Sequence, residues 1–186
     1  MLTKRAVLAH SLAIAANLAM PRPLRSQTAT TAKPVATGAD VLAASGFAAL
    51  AGKRVGLITN QTGLVKGEHL ADALSKAANV QLTAILAPEH GFRGAVEAGA
   101  KVGDEKDAKT GVPVFSLYGA SKKPSPAMLR NVDVLVFDIQ DIGVRFYTYI
   151  STMGLAMQAA AAARIPFVVL DRPNPLGGEY VSGFAL

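Results

Sequence analysis

The run at residues 132–139, VDVLVFDI, is apolar on both faces of an extended chain. A strand of that kind is buried on both sides, which is the condition of a strand inside a parallel sheet covered by helices. Four more short apolar runs read as strands: 54–60 (RVGLITN), 80–87, 112–117 and 166–170 (PFVVL). Helical patterns fall between them. Residues 41–50 are Ala- and Leu-rich. Residues 68–77 place Leu70, Ala73, Leu74 and Ala77 on one face, and 147–164 place Ile150, Met153, Met157 and Ala160 along one stripe. Residues 126–131 make a short helix at most. Strands alternating with helices predict an α/β fold, Rossmann-like, with a mostly parallel sheet flanked by helices.

Four of the five expected strands end in polar residues. Asn60 follows the first; Glu89, His90 and Arg93 follow the second; Asp138, Asp141 and Arg145 follow the fourth; Asp171, Arg172 and Asn174 follow the fifth. The carboxyl ends of parallel strands share one edge, where open α/β sheets place their ligand sites. One such cluster would suit a cap or a turn; four together predict a site.

Charge and composition narrow the chemistry. The 186 residues carry a formal net charge of +6, yet residues 1–33 hold Lys4, Arg5, Arg22, Arg25 and Lys33 and no acid. With those five set aside the balance is nearly neutral, so the basic footprint of a phosphate-backbone binder is missing and no nucleic-acid partner is expected. Absence of cysteine excludes disulfides, thiolate metal sites and thiol catalysis. The glycine fingerprints of nucleotide binding and the G-x-S-x-G elbow are absent as well. Outside the first residues only His69 and His90 remain, far apart, so no metal is expected on histidine; an oxygen-only site stays open. No cofactor is expected.

Residues 1–25 read as a signal peptide: Lys4 and Arg5 precede an apolar run to Ala19, with no clean Ala-x-Ala site. The competing reading is an amphipathic cytosolic helix. Residues 26–40, SQTATTAKPVATGAD, have linker composition, which leaves 41–186 as the folded domain. Export to a periplasm or the cell exterior is expected. No run of eighteen apolar residues occurs, so no stable membrane insertion is expected once the leader is removed. Oligomeric state is not readable from these patterns.

The loop PEHGFRG at 88–94 gives Glu89 a strand-end position suited to a general acid or base, with His90 orienting it or binding substrate. An Arg93–Glu89 ion pair is the plainer alternative. Asp138 and Asp141 lie three residues apart, and Asp141 or Thr148 could equally cap the following helix. Arg145 has the fork to clamp a carboxylate. Phe146, Tyr147 and Tyr149 suit either a sugar-stacking wall or half-buried packing. Asp171 and Arg172 could simply close a turn.

The strings KRVGLITNQTG, APEHGFRGAVEAG, TGVPVFSLYG, DVLVFDIQDIGVRFYTYISTM and LDRPNPLGG, in that order over residues 38–186, resemble the bacterial exo-β-N-acetylmuramidase family of NamZ type, long carried as a domain of unknown function. The resemblance implies a Rossmann-like N-terminal domain, a smaller second domain, a cleft between them, and release of terminal N-acetylmuramic acid from peptidoglycan fragments. A muropeptide or muramic-acid saccharide is then the expected partner. It places the Glu89–His90 loop in the cleft with Glu89 as the essential acid. Asp138, Asp141 and Asp171 become candidates for the second carboxylate that glycosidases use. Arg145 or Arg93 would clamp the lactyl carboxylate, Asn60 and Asn174 would read hydroxyls, and Tyr147 and Arg172 would line the sugar. Members of the family are roughly twice as long, so an incomplete sheet with an exposed apolar edge is expected at the C-terminal end. The competing functions are a non-catalytic cell-wall sugar-binding module and, disfavoured by the missing glycine motif, a nucleotide-dependent enzyme.

Overall fold

The computed structural model describes residues 35–89, 91–93, 105–119, 122–179 and 182–183. His90, the leader and most of the linker lie outside the described residues. Among the described residues the strands are β1 (Arg54–Thr59), β2 (Leu64–Val65), β3 (Glu68–His69), β4 (Gln81–Ala87), β5 (Glu105–Lys106), β6 (Pro113–Ser116), β7 (Val134–Asp138) and β8 (Phe167–Val169). The helices are α1 (Gly38–Ala44), α2 (Leu70–Lys76) and α3 (Tyr149–Ala163), with a 3-10 turn at Ala48–Leu50.

The main sheet runs β5-β6-β4-β1-β7-β8. All its pairings are parallel except the short β5–β6 edge. Counted along the chain, the parallel strands therefore lie in the order 3-2-1-4-5. This is the Rossmann arrangement, and its topological switch point falls between β1 and β7. Strands β2 and β3 form a separate small hairpin.

Alternation along buried strands feeds two cores. Val55 and Leu57 of β1, Ile85 of β4 and Val136 of β7 pack with Leu42, Leu70 and Leu74 of α1 and α2 on one face. Ile58, Leu86, Leu135 and Phe137 pack under Ala156, Ala159 and Ala160 of α3 on the other. Each fully buried Leu, Ile or Val contributes roughly 1.5–3 kcal/mol.

Two local expectations change. Helix α1 begins at Gly38, inside the stretch read as linker, because Thr37 and Asp40 form a reciprocal capping box. The buried stripe of α3 is Tyr149, Ala156, Ala159 and Ala160, whereas Ile150 and Met157 are exposed. Alanines let this helix lie close to the sheet, so the closest-packing face wins over the bulkiest one.

Candidate functional site

The carboxyl end of β1 turns sharply. Asn60 is fully buried, and its Oδ1 accepts hydrogen bonds from the Thr62 N–H (2.9 Å) and the Thr62 hydroxyl (2.6 Å). A backbone N–H can only donate, so the amide orientation is fixed. Its Nδ2 is left as the buried side-chain atom without a partner among the described residues. The turn closes because residue 63 is glycine: a Cβ there would sit 2.1 Å from Thr59 Oγ1. His69 ties the same turn to α2. Its Nδ1 accepts from the Ala71 N–H, so its Nε2–H donates to the Asn60 carbonyl at 3.0 Å.

Asp138, at the end of β7, is fully buried. Arg172 grips it with both edges of a fork, Nε to Oδ1 at 2.7 Å and Nη2 to Oδ2 at 2.9 Å, and also donates to the Leu64 carbonyl. Burial pushes the Asp138 carboxyl above its ordinary value, and Arg172 pulls against that shift. Both residues were expected at the sugar. The structure buries Asp138 and turns the Arg172 side chain onto it, so that the pair joins the ends of β7 and β8.

The loops above them interlock. Thr62 Oγ1 accepts from the Gln140 N–H, and Gln140 Nε2 donates to the carbonyls of Asp141 and Pro173. Asp141 does not cap α3; its Oδ1 accepts from the Gly143 N–H at 2.6 Å. Asn174 lies against Gly143, where a Cβ would meet its Oδ1 at 2.4 Å, and that oxygen accepts from the Leu176 N–H. Asp171 Oδ1 accepts from the Arg172 N–H, while the Arg172 guanidinium turns away to Asp138. Asp141, Asp171 and Arg172 line a cavity with Phe137, Tyr149 and Met153, between α3 and β8.

Glu89 lies half-buried just past β4. Its Oε1 accepts a hydrogen bond from the Thr148 hydroxyl at 2.9 Å. The alternative Arg93–Glu89 pair does not form. Arg93 instead binds Asp107 through Nε (2.8 Å) and Nη2 (2.7 Å), and Asp72 through Nη2 (2.8 Å). Its guanidinium also stacks 4.6 Å from the Phe92 ring centroid. Both edges of the fork face carboxylates of the same chain, so the expected clamp on a lactyl group has no free edge. Hydrogen bonds from Arg93 hold Asp107 far below the usual carboxylate range, against the cost of burial. Burial raises Asp72, but Arg93 and Lys109 together bring it below its ordinary value.

Tyr147 meets the buried Tyr149 edge-on, with ring centroids 4.7 Å apart. Its phenol is raised by burial first, then by Tyr149, Asp141 and Glu89. Those last two influences place it within electrostatic reach of both candidate carboxyls. Phe146 is 81% exposed and Arg145 is exposed beside it. The aromatic trio therefore splits into core (Tyr149), half-buried edge (Tyr147) and solvent-facing ring (Phe146).

The sequence offers Thr148 only as a cap, places Thr62 and Gln140 among the strand-end polar residues without a role, and gives no sign of Asp72 or Asp107. Thr62 in N-Q-T-G carried a usable signal, since Asn two residues before a donor is an Asx-turn pattern. The others depend on contacts across the fold. Among the described residues no three His, Asp or Glu side chains gather as a metal site, and no helix is long and apolar enough to cross a membrane.

A family profile described as exo-beta-N-acetylmuramidase NamZ, N-terminal, matches residues 55–186. Over 160 residues the chain is 54% identical to the peptidoglycan beta-N-acetylmuramidase NamZ of Bacillus subtilis (strain 168), covering 85% of this chain and 39% of that protein. Two solved DUF1343 family proteins from Bacteroides fragilis NCTC 9343 share the fold. One has a TM-score of 0.72 at 53% identity, over 80% of this chain and 38% of that one. The other has 0.64 at 42% identity, over 77% and 36%. The chain thus spans roughly two fifths of the length of these relatives. The matched region contains the sheet, the switch point and every candidate residue of the site, and on that ground the chain belongs to the exo-β-N-acetylmuramidase NamZ N-terminal family.

Proposed function

We propose that this chain is the N-terminal, acid-bearing part of an exo-β-N-acetylmuramidase that releases terminal N-acetylmuramic acid from peptidoglycan fragments. The observation that carries the reading is the state of Glu89. It is a half-buried carboxyl at the ligand edge of a parallel sheet, and among the described residues it stands outside every ion pair. Of the other strand-end carboxyls, Asp138 is paired with Arg172, and Asp141 and Asp171 each accept a backbone N–H of their own loop, whereas Glu89 accepts only a side-chain hydroxyl from across the fold. Glu89 protonates the glycosidic oxygen as the C1–O bond breaks. Asp141, half-buried and with one oxygen uncommitted to its turn, is the second carboxylate, acting on the sugar or on a water. Arg145, exposed in the same segment, meets the lactyl carboxylate. Tyr147 forms the wall of the sugar site.

Glu89→Gln in the full gene product tests this reading. Release of N-acetylmuramic acid from a muramyl disaccharide should fall by about 10²–10⁴-fold with unchanged circular dichroism. Full activity in that variant removes Glu89 from the mechanism. Saccharide binding without cleavage by the unmutated protein would favour the sugar-binding module. We also propose export through the general secretory route, on the basic-then-apolar leader; cell fractionation that finds the full gene product in the cytoplasm with Met1 still in place rejects it.

A further inference from the structure

We propose that Thr148 is the positioning residue of the acid: its hydroxyl fixes the Glu89 carboxyl so that Oε2 carries the proton to the glycosidic oxygen. The inference rests on the Glu89 reading above.

Thr148 occupies the N-cap position of α3 but has helical dihedrals, φ −77° and ψ −9°, and its side chain makes no capping bond. A capping Ser or Thr needs an extended backbone to turn its oxygen back on the first amides. With that geometry denied, the hydroxyl is turned outward and donates to Glu89 Oε1, 59 residues away in sequence. Its backbone is held by the first turn of α3, where its carbonyl accepts from the N–H groups of Ser151 and Thr152. A β-branched side chain on such a base has few χ1 options. Glu89 is the flexible partner. Its backbone follows β4, where the Ala87 carbonyl accepts from the Leu117 N–H, but its three side-chain torsions have no other hydrogen-bonded restraint among the described residues.

An O–H donor on Oε1 makes that atom the carbonyl oxygen of the protonated acid and leaves the transferable proton on Oε2. On transfer, the Oε2–H bond breaks and the proton joins the glycosidic oxygen, which takes the electron pair of the breaking C1–O bond. The hydroxyl then stabilises the resulting carboxylate. Losing that order costs rate in proportion to how much the leaving group needs a proton.

The experiment compares two muramides on the full gene product carrying Thr148→Val, Thr148→Ser or Glu89→Gln: a muramyl disaccharide, with a poor leaving group, and a nitrophenyl muramide, whose leaving group departs without an acid. Thr148→Val should lower kcat on the disaccharide about ten- to a hundredfold, with KM little changed, while the nitrophenyl substrate slows by no more than about threefold. Thr148→Ser should restore the disaccharide rate. Equal losses on both substrates, or no loss on either, overturn the proposal, the former by showing a structural defect. An inactive Glu89→Gln beside an unaffected Thr148→Val rejects Thr148 alone. An active Glu89→Gln rejects both readings.

Discussion

Arg172 and Arg93 both grip carboxylates in this fold, with opposite electrostatic outcomes. Arg172 holds Asp138 at the switch point, where the carboxylate is fully buried and the guanidinium side chain is only 8% exposed. Arg93 holds Asp72 and Asp107 beside the Glu89 loop and is 30% exposed. Distances are alike, 2.7–2.9 Å, yet Asp138 is raised above its ordinary value and Asp107 falls far below it. Distance cannot explain the difference; the balance of desolvation against the number of donors does. At the switch point the loss of water outweighs one ion pair. Beside the loop, water reaches the arginine and Thr110 adds two further donors to Asp107. The inner pair therefore fixes geometry at an energetic cost, and the outer network stabilises in its own right.

The largest effect expected is at the inner pair. Arg172→Met leaves a buried carboxylate without its counter-charge and should cost about 3–5 kcal/mol in urea unfolding at pH 7. Adding Asp138→Asn to that variant should recover a good part of the loss. A double variant as unstable as the single one would mean that the packing of Arg172, and not its charge, is what matters.

The outer network should respond less, and over a lower pH range. Arg93→Met leaves Asp107 with Thr110 and Asp72 with Lys109, so a loss of about 1–2 kcal/mol is expected at pH 7. Asp72 and Asp107 titrate below their unfolded values. Their contribution is complete above about pH 4 and disappears as the pH falls through the folded values. Asp138 is raised, so its contribution is present in acid and lost as the pH rises. As the pH falls, the stability gap between wild type and Arg172→Met should therefore close first, because Asp138 is raised and protonates early, and the gap for Arg93→Met should close only at lower pH, because Asp72 and Asp107 are lowered. Gaps that close over the same pH range in the two variants would erase the distinction between the sites.

This same contrast explains what was legible in the sequence. The strand runs were readable because a buried parallel strand must be apolar on both faces, as 132–139 is, and the polar strand ends followed from the shared carboxyl edge. Which polar residue faces solvent was not readable. Arg93 and Arg172 look equally suited to an anion in the sequence, and only the fold shows that carboxylates 14 to 34 residues away already occupy them. Asn60 illustrates the same limit: it sits at the right edge yet is fully buried in its own turn. Thr148 fails in the other direction, because its place before a helix suggests a cap until its backbone dihedrals are known.

The smallest effect belongs to a third pair, which isolates burial as the variable. Arg54 and Asp133 join the amino ends of β1 and β7 with the same bidentate fork, Nε to Oδ2 at 3.0 Å and Nη2 to Oδ1 at 2.7 Å, and the Arg54 N–H adds a third bond. Their side chains are 43% and 39% exposed, and Arg54 lowers the Asp133 carboxyl to about 2. Geometry alone would rank this pair with Asp138–Arg172. Solvent screening predicts otherwise: Asp133→Asn, which keeps an acceptor for the backbone N–H, should shift the melting temperature least of the three variants. The remaining shift should vanish in about 1 M salt, where the screening length is about 3 Å. A loss comparable to that of Arg172→Met, surviving high salt, would show that fork geometry and not burial sets the strength of these pairs.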